Sequence, residues 1–192
     1  MKRDNLIGLS LVCALLFSHA LYAEEIAGVS IPDTVTVGDS TKELLLNGAG
    51  IRKKLFFDIY VGALYLTKRT TDAQEAIDTP GEKRILMHFT YNEVSRQKLV
   101  NAWYEGFEAN NSAEVLKAIK PRIDRFAGLF RDAHKSDIYW LNYIPGKGTR
   151  VVLNETVLGN IEGEDFNRAL LRIWLGEKPI TEKLKKAMLG RR

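Results

Sequence analysis

Apolar and polar positions alternate through much of the first half of this chain, and later recur every three to four residues. Val29 to Pro32 and Thr34 to Val37 are short β-branched segments flanking Pro32-Asp33, and Glu43 to Leu55 is mixed, interrupted by Gly48-Ala49-Gly50. Phe56 to Leu66 is dense in aromatic and branched residues and reads as a central strand. Arg84 to Thr90 is another strand, with Ile85, Met87 and Phe89 on one face and Leu86, His88 and Thr90 on the other. The period then changes. Asn92 or Ser95 can cap a helix carrying the stripe Leu99, Trp103 and Phe107. Ser112 opens a second, with Leu116, Ile119, Ile123, Phe126 and Phe130 inward; Pro121 removes a backbone donor there, so a kink or two shorter helices is expected. Strands return at Ile138 to Tyr143 and Thr149 to Asn154 around the turn Pro145-Gly146-Lys147-Gly148, with one more at Thr156 to Ile161. A helix from Asp165 to Leu175, with Gly176 as its C′ residue, and another from Thr181 close the chain. Strands, helices, a hairpin and helices again predict an α+β fold, a large antiparallel sheet with helices packed on one face.

The N-terminus changes the picture of where this domain works. Lys2 and Arg3 precede an apolar run from Leu6 to Phe17, broken by Gly8 and Ser10, and Ala20-Leu21-Tyr22-Ala23 follows. That order is the one of a secretory signal peptide, and the run falls short of the ~20 apolar residues a membrane span needs. Residues 1–23 are therefore expected to be a signal removed after Ala23, leaving a single exported domain over 24–192. The sole cysteine, Cys13, leaves with it, which excludes a disulfide, a thiol nucleophile and a thiolate metal site. His88 and His134 are far apart, so no metal site is expected. A Gly-x-Ser-x-Gly elbow and phosphate-cradling glycine motifs are absent, and no cofactor is implied. The 28 basic and 24 acidic residues nearly balance, which describes a mixed solvated surface rather than a nucleic-acid stripe. The densest basic cluster, Lys183, Lys185, Lys186, Arg191 and Arg192, reads as a solvated helix face, or more sharply as peripheral contact with an anionic lipid surface.

Candidate chemistry concentrates in Leu46-Asn47-Gly48-Ala49-Gly50-Ile51-Arg52 and the following Phe57 to Leu66. Glycines before an arginine let backbone approach backbone, or a ligand, where a Cβ would clash. An arginine in an apolar strand region is costly to bury unpaired, so Arg52 points to water, pairs with a carboxylate such as Asp58, or awaits an anionic ligand.

Asn-Gly-Ala-Gly-Ile-Arg followed by Ile-Tyr-Val-Gly-Ala-Leu-Tyr-Leu resembles the core signature of the chalcone isomerase-like superfamily, and is most similar to its bacterial, signal-bearing branch. Ala169 to Pro179 and the closing Leu184 to Gly190 resemble that branch too. The resemblance implies an open-faced β-sandwich with a ligand cleft between sheet and helices, and a periplasmic location. In the plant enzymes an arginine after the glycines steadies the substrate's developing negative charge, and Arg52 matches it. A threonine in the next strand helps hold the substrate ketone; here Tyr60 stands in its place. Tyr60 is similar instead to a tyrosine that joins the arginine on a carboxylate in the fatty-acid-binding members. The connection between Arg52 and Tyr60 is shorter than in the plant enzymes, and a tight turn at Lys53-Lys54 would not set the two opposite each other.

Three functions remain open on sequence. One is an exported protein binding a small hydrophobic acid, fatty-acid-like, with Arg52 and Tyr60 on its carboxylate. The second is an isomerase or lyase acting on a phenolic or enone substrate, with Arg52 stabilising an oxyanion. The third is a structural protein whose cleft is filled by its own side chains, ranked last because the two glycines before Arg52 would then have no evident purpose.

Overall fold

The computed structural model describes residues 23–38 and 42–191. The signal-like segment therefore lies outside the described residues up to Tyr22, as does Arg192. Among the described residues, eleven strands and five helices follow one another as β1 (Ala23–Ile26), β2 (Val29–Pro32), β3 (Thr34–Thr36), β4 (Glu43–Lys54), β5 (Phe57–Leu66), α1 (Ala73–Asp78), β6 (Lys83–Phe89), β7 (Glu93–Val94), α2 (Arg96–Asn110), α3 (Ala113–Gly128), β8 (Ala133–His134), β9 (Ile138–Ile144), β10 (Gly148–Leu153), β11 (Thr156–Ile161), α4 (Glu164–Leu175) and α5 (Glu182–Met188). Seven strands form one antiparallel sheet in the order β11-β10-β9-β6-β5-β4-β3. Every residue of β5 from Tyr60 to Leu66 is buried, because the sheet is covered on both sides along this strand. Tyr60, Leu64 and Leu66 join the helix-side core with Ile85, Met87 and Phe89 of β6, while Val61, Ala63 and Tyr65 join the other. There Val29 and Ile31 of the β1–β2 hairpin pack on the sheet, and the Tyr65 hydroxyl donates to the Pro32 carbonyl at 3.0 Å. The result is the open-faced sandwich with helices on one side of the large sheet.

Three local expectations are corrected. The mixed segment before Arg52 is one continuous strand, β4, because its glycines are tolerated where α5 covers them. Pro121 does not divide α3, which runs unbroken from Ala113 to Gly128; Pro121 and Lys117 both face solvent, so the carbonyl four residues back that loses its donor is left to water. Gly176 ends α4 with φ −70°, outside the left-handed region expected of a C′ glycine. Its lack of a side chain serves packing, since an added Cβ would collide with Asn110 Oδ1.

The glycines before Arg52 also have a structural purpose. A Cβ on Gly48 would collide with the Ala187 carbonyl oxygen, and one on Gly50 would come within 2.5 Å of the Ala187 Cβ. They seat α5 against β4, with Leu184 and Met188 buried beneath it. Asn47 completes the seat by donating to the Met188 carbonyl at 2.7 Å and accepting from the Thr70 N–H at 2.7 Å. Gly48→Ala is accordingly expected to cost about 3 kcal/mol in urea unfolding, because the obstacle is backbone and cannot rotate away. Gly128→Ala, where the added methyl meets nothing within 4 Å, serves as the control and should be neutral or stabilising by up to about 1 kcal/mol.

Candidate functional site

The β4–β5 hairpin turns at Leu55-Phe56, pairing Lys54 with Phe57 and Lys53 with Asp58. Continued regularly, that register would set Arg52 opposite Ile59. A bulge intervenes, and Arg52 pairs with Tyr60 instead. The Ile59 carbonyl at the bulge accepts the N–H groups of both Thr90 (3.0 Å) and Tyr91 (3.2 Å), which anchors the irregularity to the loop after β6. Arg52 and Tyr60 thus converge, because the chain reverses at Leu55-Phe56 rather than at the expected Lys53-Lys54 and a bulge follows. The carboxylate expected as a possible partner for Arg52 is taken elsewhere: Asp58 pairs with Lys53.

Both residues line a cavity of about 280 Å³ between the hairpin, the loop at Tyr91 and the N-terminal half of α2. Met87, Leu99, Trp103 and Ile180 supply its apolar walls, and Leu55 and Phe57 its mouth. Ser95 starts α2 by accepting the Lys98 N–H, which directs Leu99 and Trp103 inward on the predicted stripe.

The cavity is lined by one carboxylate, the exposed Glu93, while Arg52, Tyr60 and Trp103 are donors. The half-buried Arg52 has no carboxylate partner among the described residues, and its Nη1 donates to the Lys53 carbonyl at 2.7 Å. Tyr60 is 3% exposed, and its hydroxyl oxygen accepts Trp174 Nε1–H at 3.0 Å. That bond leaves the phenolic proton to be donated, and no described residue accepts it. Burial pushes the Tyr60 phenol up to about 12, only partly opposed by the nearby Arg52 guanidinium and the Trp174 bond, so the group is a proton-bearing donor at any ordinary pH. Trp103 adds a buried Nε1–H with no partner among the described residues. Its ring packs edge-on to Phe126 and Trp174, which ties the cavity wall to the aromatic core behind it.

The sequence identified Arg52 and Tyr60 but placed Trp103 only on a helical stripe. That spacing marks burial, and nothing in it distinguishes a wall with a free N–H from interior. His88 lies on the opposite face of the sheet, paired in register with Val61 and Ile138, and burial holds its pKa below the usual value. Asn92, Ser95 and Asn101 do not line the cavity; Ser95 is a helix cap and Asn101 accepts from Gln97 on the α2 surface. Among the described residues there is no cluster of metal-ligating side chains, and no helix is long and apolar enough to cross a membrane.

The sequence profile of the chalcone isomerase-like family matches residues 23–190. No curated protein matches the sequence. Among solved structures, a fatty-acid binding protein of Arabidopsis thaliana superposes with a TM-score of 0.65 at 18% identity, over 88% of this chain and 95% of that one.

The Tyr60 environment has a pH signature. Its folded-state pKa of about 12 lies above the unfolded value of 10.0. Its contribution is therefore intact below pH 10 and is lost as pH rises towards 12, where the unfolded chain releases a proton the folded one keeps. At pH 7, Tyr60→Phe should cost about 1–2 kcal/mol by orphaning Trp174 Nε1–H. Denaturant titrations from pH 9 to pH 12 should show that penalty shrinking, with the wild-type curve steeper by up to one proton. Parallel curves would mean that Tyr60 titrates like an exposed phenol.

Proposed function

Because this chain belongs to the chalcone isomerase-like family, we propose that it acts as a binding protein of the exported compartment, the bacterial periplasm, holding a fatty-acid-like carboxylate in the cavity between sheet and helices. One observation carries the reading: Arg52, Tyr60 and Trp103 are hydrogen-bond donors and two of them lack acceptors, while the one carboxylate in the lining, Glu93, is exposed and lies 3.7 Å from His134 Nε2. A carboxylate is acceptor-only and meets such a set without an unpaired donor of its own, whereas an alcohol or amine does not. The guanidinium supplies charge and the Tyr60 hydroxyl a second bond. The apolar walls take the chain. The volume stands at the lower end of the ~300–1,000 Å³ usual for ligand pockets, so a medium-length tail fits inside and a longer one runs out past Leu55 and Phe57. The fatty-acid binding function of the structurally similar Arabidopsis protein agrees with this reading.

A second reading draws on the same donors. Arg52 and a protonated Tyr60 would also stabilise an oxyanion developing on a phenolic or enone substrate, as an isomerase or lyase requires. Tyr60 with its raised pKa cannot serve as a base near neutrality, and the one carboxylate in the lining, Glu93, is exposed and turned to His134, so binding is the reading better supported.

Native mass spectrometry of gently purified protein should reveal a retained acid. In titration calorimetry with dodecanoate, Arg52→Ala should weaken binding by about ten- to a hundredfold, and Tyr60→Phe by about tenfold. Dodecanol, with the same tail, should bind weakly to all three proteins. Equal affinity for acid and alcohol would sink the carboxylate assignment, and turnover of a chalcone abolished by Arg52→Ala would move the site to the second reading.

A further inference from the structure

Among the described residues, the exposed large hydrophobic side chains are Leu55, Phe56, Phe57 and Val157, and three of these four are consecutive at the tip of the β4–β5 hairpin. Phe56 is 94% exposed and Leu55 83%. Two-residue hairpin turns ordinarily carry Asn, Asp or Gly. Leu55 instead adopts φ 55°, a left-handed conformation that disfavours a residue with a Cβ. The tip therefore keeps an apolar side chain where both water and backbone geometry penalise it, as contact surfaces do and solvated turns do not.

The tip continues into the cavity. Leu55, Phe57 and Lys54 line its mouth, and Tyr91 meets Phe57 edge-on at 5.4 Å. Cations flank it: Arg52, Lys53 and Lys54 on the hairpin and Lys98 on the facing helix. The neighbouring carboxylates are Asp58, engaged by Lys53, and Glu93, whose carboxylate lies 3.7 Å from His134 Nε2. The rim is thus apolar at its apex and net positive around it.

We propose that this hairpin tip docks on a bilayer containing anionic phospholipid, with Leu55, Phe56 and Phe57 below the headgroups and the flanking lysines at the phosphates. Docking there places the cavity mouth on the membrane, so that an amphipathic acid passes between bilayer and cavity without its tail crossing water. That purpose rests on the acid-binding reading; the docking itself does not. The C-terminal basic cluster suits the role less well, because Lys185 donates to the Gly176 carbonyl at 2.7 Å and Arg191 to the Thr71 carbonyl at 2.8 Å.

Sedimentation with vesicles tests the docking. The protein should bind vesicles of phosphatidylethanolamine and phosphatidylglycerol, bind phosphatidylcholine vesicles far more weakly, and lose affinity as salt is added. Phe56→Ser should weaken binding by about tenfold, the usual scale for one buried aromatic. Phe56 does not line the cavity, so dodecanoate affinity in free solution should stay unchanged, which separates a failure of docking from a failure of acid binding. Lys183→Glu with Lys186→Glu should leave vesicle binding nearly intact. Absence of vesicle binding, binding indifferent to Phe56→Ser, or binding abolished by the C-terminal pair would overturn the proposal. So would a dimer in sedimentation velocity that Phe56→Ser dissociates, since the tip would then cover a second copy of the chain.

Discussion

One extra residue in β5 decides whether this protein has a site. Cross-strand partners share a face of a sheet, and a shift of one residue sends a side chain to the other. Without the bulge at Ile59, the Leu55-Phe56 turn would pair Arg52 with Ile59, and Tyr60 would fall on the face away from Arg52. With it, the guanidinium and the phenol point to the same side, towards the cavity under α2. The bulge is held by the loop after β6, whose Thr90 and Tyr91 N–H groups both converge on the Ile59 carbonyl. The same loop brings Tyr91 to the cavity mouth, so one pair of backbone contacts fixes both the floor and the rim.

Tyr60 is in turn fixed from behind. An added Cβ on Gly62 would lie 3.2 Å from Tyr60 Cε2, so the glycine gives the ring its room, and Trp174 of α4 supplies the bond that turns the hydroxyl proton outward. Leu184 of α5 lies over Gly50 and Gly62. Helices α4 and α5 thus act on the site without forming its walls: one orients the phenol, the other closes the sheet beside it. Preorganised donors in an apolar surround gain strength from the low local dielectric, and among the described residues no carboxylate pairs with Arg52, Asp58 being engaged by Lys53 and Glu93 lying beside His134.

Much of this was legible in the sequence. The central strand β5, the two faces of β6, the stripe of α2 and the helix starts at Ser95, Ser112 and Thr181 stand where the pattern predicts them, while Phe130 of the predicted α3 stripe lies just past the helix end. Arg52 and Tyr60 emerged through family resemblance. Their convergence was not legible, because the bulge carries no glycine and is stabilised by a segment some thirty residues downstream. The glycines before Arg52 were assigned an uncertain role because a sequence shows that a Cβ is missing, not what occupies its space; α5 does. With that purpose found, the glycines no longer weigh against a structural role for the fold. The case for a ligand now stands on the unaccepted donors of Tyr60 and Trp103 instead. Pro121 does not break α3 in two for a related reason: a missing hydrogen bond costs most when the abandoned carbonyl is buried, and Lys117 faces water.

The central claim, a carboxylate held at Arg52, is tested most directly by the carbon-13 resonance of carboxyl-labelled dodecanoate bound to the protein, followed through an acid titration. A free carboxyl group titrates near ~4 to 5. Held by the guanidinium and the Tyr60 hydroxyl, the bound signal should stay in its ionised position well below that range while the protein remains folded, and Arg52→Ala should restore ordinary titration. A bound resonance that titrates like the free acid in the wild-type protein would contradict the account.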